Sequence, residues 1–139
     1  MTKWLVKSEP AECGIEDFAK APDGVIPWDG VRNYQAANNM KKMKKGEKAF
    51  LYHSVTEKQI VGVMEVTREY YPDHTDASGR FGMVDVKPLA PVTRFVTLAQ
   101  IKTESKLEDL ALVRQSRLSV LPIAATHWKI LCKMAGMKT

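Results

Sequence analysis

The spacing of apolar and polar residues outlines the elements of this chain. Lys3 to Ser8 reads as a strand, ended at Glu9-Pro10 because a proline nitrogen cannot donate to a sheet ladder. A short helix around Ile15 to Ala21 follows, and then two turn signals, Pro22-Asp23-Gly24 and Trp28-Asp29-Gly30. From Asn33 to Lys45 the period becomes helical. At about 100° per residue, Ala36, Met40 and Met43 share a narrow stripe, and Lys41, Lys42, Lys44 and Lys45 point away from it. Gly46 suits a helix stop, because it accepts a left-handed conformation without a Cβ clash.

Ala49 to Val55 and Gln59 to Arg68, joined by Thr56-Glu57-Lys58, read as a hairpin. Phe81 to Leu89 is a further strand, with Val84 and Val86 on one face and Asp85 and Lys87 on the other. Between them, YYPDHTDASGR has no periodicity and reads as a long loop, a frequent carrier of function. The last third turns helical. Thr97 with Gln100 and Ser105 with Glu108 match the capping-box spacing. Pro122 fits a first helical turn and Gly136 a C-terminal stop, and Ala124, Trp128, Leu131 and Ala135 form a buried face between them.

Locally paired strands, interrupted by helices at the start and end, predict an α+β fold with a small, strongly bent or barrel-like sheet. The regular strand-helix alternation of a doubly wound parallel sheet is absent. With 139 residues, 45% of them hydrophobic, and no repeat or linker, one domain over residues 1–139 is expected. Cys13 and Cys132 have no paired spacing and are expected to be reduced thiols. No run of about 18 apolar residues occurs and the N-terminal apolar stretch is too short for a signal peptide, so no membrane association and a cytoplasmic location are expected.

Charge adds a direction to this picture. The formal net charge is +5, but residues 1–30 hold three Lys against six acids, whereas residues 41–48 hold five Lys against one Glu. From Arg114 to the end there are five basic residues and no acid. Such one-sidedness attracts a polyanion, although lysines also serve simply to solvate a surface.

Enzyme signatures are mostly missing: there is no nucleophile elbow, phosphate loop, dinucleotide fingerprint or zinc helix. Asp73, His74 and Asp76 offer metal-type ligands, but polar residues in a turn-rich loop are more often solvated, and no metal is expected. His53 and Ser54 are neighbours on a strand and point to opposite faces, so they cannot act as a nucleophile-base pair. What remains is a set of polar-aromatic clusters: Lys7-Ser8-Glu9-Pro10, Trp28 with Gly30 to Asn33, Tyr52-His53-Ser54 and Arg117 to Val120. Structural roles fit them too. Asn33 suits a helix N-cap, Arg117 a surface ion pair and Tyr52 a half-buried strand position. Trp28 differs because it sits in a turn, which makes it the best candidate for a stacking surface.

In order, WLVKSEP, W-x-GVRNYQA, the Met-Lys helix ending at Gly46, FLYHS, IVGVMEV, YYPD, VDVK and RLSVLP resemble the EVE domain, a member of the PUA-like superfamily and a relative of YTH modules that recognise methylated adenine in RNA. The similarity covers nearly the whole chain. One departure is Ala37, where the family often carries Arg. The resemblance implies a PUA-like bent β-barrel of five to six strands with flanking helices, and a cleft for one modified base, methylated or hydroxymethylated cytosine above all. The implied partner is DNA or RNA carrying that base, with no cofactor. By position, Trp28 would be a cage wall, and Lys7, Ser8, Asn33 and Ser54 polar groups near the base edge. Tyr71 or Phe81 would form the second aromatic wall. Arg32, Lys41, Lys42, Lys44, Lys45 and Arg117 would lie along the nucleic-acid backbone. Extruding a base costs a few kcal/mol. Stacking worth roughly 1–3 kcal/mol per base offsets this. The alternative from another class is a small RNA- or nucleotide-processing enzyme with His53 or His127 as general base.

Overall fold

The β-rich segments assemble into one six-stranded sheet, within the five to six strands that the resemblance implies. The computed structural model describes residues 2–8, 25–29, 31–54, 58–115 and 118–137, the side chains at 90 and 91 excepted. Its strands are β1 (Lys3–Ser8), β2 (Ile26–Pro27), β3 (Lys48–His53), β4 (Gln59–Pro72), β5 (Gly82–Thr97) and β6 (Val120–Ile123). They lie in the order β2-β5-β4-β3-β1-β6. β1 and β3 are parallel and every other pairing is antiparallel. Helices α1 (Tyr34–Lys41), α2 (Leu98–Thr103), α3 (Ala111–Arg114) and α4 (Ala125–Met134) flank the sheet. The expected helix at 15–21, Cys13 and Arg117 lie outside the described residues.

This sheet is curled. α1 touches β6 at one edge and also β4 and β5 toward the other. In a flat sheet β5 and β6 would stand about 19 Å apart, at about 4.8 Å per strand. A helix about 10–12 Å across meets both only if the sheet bends around it. The bend is built from register shifts, one between β3 and β4 at Leu51/Tyr52 and four along β4–β5. Among the described residues β2 and β6 do not pair with each other, so the strand order runs open instead of closing into a barrel.

Several boundaries differ from expectation, each for a physical reason. β5 continues past its expected end at Leu89, through Pro91, to Thr97. Among the described residues β2 covers β5 only at Asp85 and Val86, and β5 beyond them, with one described paired side, tolerates residues that cannot donate. Pro122 lies in β6 opposite Trp4, not in a helix, and β6 is a sheet edge. The Thr97–Gln100 capping box forms, but Ser105–Glu108 does not. There Glu104 is the cap of a 3₁₀ turn and its carboxylate accepts from the Lys106 N–H. α1 ends at Lys41, not Lys45. The chain is drawn off the helix by Glu47, whose buried carboxylate accepts from the N–H groups of Lys44 (2.7 Å) and Thr2 (2.8 Å) and from Trp4 Nε1 (3.0 Å). Gly46 does take the left-handed conformation, at φ 92°.

Trp128 is core, as its spacing predicts, and stacks on Phe50 with ring centroids 4.1 Å apart. Leu131 and Ala135 share its face, whereas Ala124 is exposed because it caps α4 from outside the helix. Gly136 closes that helix at φ 72°, with its own N–H donating to Lys133 and that of Met137 to Cys132. Cys132 is a buried free thiol whose pKa is pushed up by burial.

Candidate functional site

Parallel pairing of β1 with β3 carries two of the sequence clusters to the same sheet end. Ser8 stands opposite His53, and the Ser54 N–H donates to the Ser8 carbonyl at 2.9 Å. The third cluster arrives by antiparallel pairing, with the Lys7 N–H donating to the Ser119 carbonyl at 2.8 Å. Lys7, Ser8 and Ser54 are each half-buried there. The Lys7 ammonium lies 5.9 Å from the centroid of the Tyr52 ring, and burial lowers its pKa. Burial also pushes the Tyr52 phenol up to about 12.

The cluster that begins at Trp28 lies between β2 and α1. The Trp28 N–H donates to the Val84 carbonyl at 2.7 Å, which extends the short β2 pairing and sets the Trp28 backbone beside β5. Trp28 is only 7% exposed and joins the core cluster, so it is more enclosed than a turn position suggests. Asn33 is the N-cap of α1: its Oδ1 accepts from the Ala36 N–H at 2.9 Å, which leaves the amide nitrogen as the group able to address a ligand. Ala37, the departure from the family pattern, is buried. The helix is tied to the far edge by Gln35 to Gln115 (3.1 Å) and by Asn39 Nδ2 to the Val120 carbonyl (2.7 Å). β1 and α1 therefore both bond to the chain at or just before β6.

Arg32 lies at the surface, its side chain 41% exposed, and is tethered to the loop that follows β4. Its guanidinium donates to Asp73 Oδ2 at 3.0 Å and to Thr75 Oγ1 at 2.9 Å, and the Asp73 side chain is fully buried. The loop from Asp73 to Phe81 is ordered by two successive aspartate turns. Asp73 Oδ1 accepts from the N–H and hydroxyl of Thr75, and Asp76 Oδ1 from those of Ser78. Asp76 Oδ2 also accepts from the Phe81 N–H at 2.7 Å. The Ser78 hydroxyl and then this Phe81 bond hold the Asp76 carboxyl below its ordinary range. Asp29, Asp73 and His74 bring potential ligand atoms within 4.8 Å of one another, Asp29 taking the place expected of Asp76. Arg32 and Thr75 already occupy both Asp73 oxygens, so that carboxylate needs no ion to balance it.

Tyr71 and Phe81 occupy separate places. The Tyr71 hydroxyl donates to Asp85, and the Arg68 guanidinium lies 3.6 Å from the centroid of its ring. Burial, followed by the Asp85 bond, raises the Tyr71 pKa to about 12. Phe81 packs against Tyr34, with centroids 5.0 Å apart and ring planes at 37°. Sequence reasoning missed Tyr34, which is 63% exposed. The signal was available: Tyr34 lies about 160° around α1 from Ala36, on the polar side of the helix. Lys41, Lys42, Lys44 and Lys45 are all exposed, and Lys41 leans over the Tyr70 ring at 5.7 Å. His53 is buried and His127 half-buried in the first turn of α4.

Residues 2–134 match the EVE domain family. Thymocyte nuclear protein 1 of Danio rerio is 37% identical over 96% of this chain and 71% of that protein, and the Homo sapiens protein 36% over 94% and 72%. The crystal structure of human THYN1 in complex with 5-methylcytosine-containing DNA superposes with a TM-score of 0.93 at 33% identity, covering 100% of both chains. The NMR structure of Rpa0253 from Rhodopseudomonas palustris is 47% identical with a TM-score of 0.91, covering 98% of this chain and 94% of that one. A YTH domain of Zygosaccharomyces rouxii, solved with N6-methyladenosine RNA, shares the fold at a TM-score of 0.57 and 19% identity, over 99% of this chain and 86% of that one.

Proposed function

Because the chain belongs to the EVE domain family, we propose that it is a non-catalytic nucleic-acid-binding module that reads one modified base, methylated or hydroxymethylated cytosine, flipped out of the stack. The observation that carries this reading is the likeness, over 100% of both chains, to a human relative solved with 5-methylcytosine-containing DNA. The local chemistry agrees with it. A flipped base needs an aromatic surface, a few polar groups at its edge and cations for the backbone. Trp28, which is largely enclosed, would form the floor of such a pocket and not an open shelf. Lys7, Ser8, Ser54 and the Asn33 amide would address the base edge. The exposed lysines of α1 and the following turn would supply the sequence-independent, salt-dependent attraction. For the alternative reading as a processing enzyme, a general base must reach its substrate's proton; the 5% exposure of His53 disfavours this and leaves the half-buried His127 as its candidate.

Titration of matched labelled duplexes carrying cytosine, 5-methylcytosine or 5-hydroxymethylcytosine tests the reading directly. A methyl group filling an apolar pocket discriminates by about tenfold or more, so one modified duplex should bind at least that much tighter than its unmodified match. Ser54→Ala and Lys7→Met should narrow the ratio. Equal binding of all three duplexes by folded wild-type protein, or a ratio untouched by either substitution, would overturn the proposal.

A further inference from the structure

α1 presents a face that neither the core nor the pocket uses. Tyr34 is 63% exposed although its ring is one of the larger apolar groups on the surface. It is braced by Phe81, over which the Arg32 guanidinium lies at 5.6 Å. Arg32 is in turn clamped to Asp73 and Thr75. A ring held in this way loses little side-chain freedom when something stacks on it. Seven residues along, Lys41 returns to within about 20° of the Tyr34 direction and about 10 Å further along the axis. Asn38, one turn from Tyr34, is exposed on the same side. The stripe therefore reads aromatic, amide, cation, with Lys42 beside it.

Its position relative to Trp28 is set by β5. Phe81 immediately precedes β5, and Val84, whose carbonyl receives the Trp28 N–H, is three residues further on. Three residues of extended chain span about 10 Å. Bases of one strand are spaced by about 3.4 Å along a duplex axis, so a nucleotide one to three steps from a base at Trp28 falls within reach of the Tyr34 ring. The flanking charge decides between partners. A protein surface does not require cations around an exposed aromatic, whereas a polynucleotide offers a base face and phosphates together.

We infer that Tyr34, braced by Phe81, is a stacking platform for a base that flanks the flipped nucleotide, and that the α1 face from Tyr34 to Lys41 guides the strand carrying it. This rests on the base-reading function proposed above. It adds a contact outside the pocket that is indifferent to the modification. Lys41 contributes through charge and Tyr34 through stacking, so they separate in salt dependence. Lys41→Gln should reduce the salt slope by about one phosphate's worth, and Tyr34→Ala should leave that slope unchanged.

The test uses fluorescence anisotropy with a labelled duplex containing one 5-methylcytosine, its unmodified match, and versions in which nucleotides on either side of the cytosine are replaced by abasic sites. The proteins are wild type, Tyr34→Ala and Tyr34→Phe, each checked for an unchanged melting temperature. Tyr34→Ala is expected to weaken binding to the intact duplex roughly fivefold to a hundredfold, while Tyr34→Phe retains it. On the duplex lacking the stacked base, wild type and Tyr34→Ala should bind alike. The ratio between modified and unmodified duplexes should be the same for all three proteins. An unchanged affinity for Tyr34→Ala, or a loss of equal factor on intact and all abasic duplexes, overturns the platform. If methylated and unmodified cytosine bind wild type equally while the coupling to a flanking base is present, the base-reading function fails and the platform stands.

Discussion

Replacing Glu47 by alanine would show how much of the lysine-bearing turn depends on one buried carboxylate. Glu47 is 4% exposed and accepts from Trp4 Nε1, the Lys44 N–H and the Thr2 N–H, at 2.7–3.0 Å. Trp4 is 2% exposed, so its indole N–H has no access to bulk water once the acceptor is gone. A buried donor left in that state costs about 1–3 kcal/mol. The Lys44 and Thr2 donors are part-buried and can recruit water, so about 0.5–1 kcal/mol each is a reasonable discount from the same range. The sum is about 2–5 kcal/mol, a large share of the roughly 5–15 kcal/mol typical of a domain. Urea unfolding followed by tryptophan fluorescence measures it. Trp4→Phe removes the indole donor, so in that background Glu47→Ala should cost about 1–2 kcal/mol less, the coupling expected of groups in direct contact. A cost under about 0.5 kcal/mol, the range of ordinary surface substitutions, would refute this account. So would full additivity of the two changes.

Two further outcomes follow from the same structure. Tyr52 and Tyr71, two of the four tyrosines, should ionise near 12, above their ordinary value of 10.0, and phenolate absorbance during alkaline titration reads this. Because the folded-state pKa is raised, the stability linked to these phenols is fully present below about pH 10 and is lost as the pH rises through about 12. Tyr71→Phe should remove the higher-pH ionisation of that residue and the stability linked to it; a Tyr71 that ionises at its ordinary value would contradict the burial and the Asp85 bond. Gly82→Ala would place a Cβ 2.5 Å from the Tyr70 ring and 2.6 Å from the Tyr71 carbonyl oxygen. Since one obstacle is backbone, a cost of about 1–3 kcal/mol is expected from thermal melts, in the range of other overpacked sites, and a neutral substitution would show that the β4–β5 arm yields easily.

The local periods of the chain suffice for most of its elements and for part of its core, but not for β6 or for Tyr70 to Pro72, which read as loop and extend β4. The Ala36–Met40–Met43 stripe, the alternation at Val84 to Lys87, the Thr97–Gln100 box and the Trp128 face are set by short-range geometry and need no knowledge of neighbours. The ordered motifs from WLVKSEP to RLSVLP likewise made the family legible. The chain by itself could not show where α1 ends, because Glu47 draws the backbone away by reaching Thr2 and Trp4, more than forty residues distant. Nor could it show that Pro91 and Pro122 sit in strands, since a proline is tolerated only where no neighbour demands its missing donor, and edges are a property of the whole sheet. The same holds for the site. That Lys7, Ser8 and Ser54 meet at one sheet end follows from the parallel pairing of β1 with β3, and the union of Arg32 with Asp73 and of Tyr34 with Phe81 follows from the curl that brings α1 against β5. Local periodicity is read within a few residues, but burial, charge pairing and the course of a polar face depend on which distant segments the folded chain sets side by side.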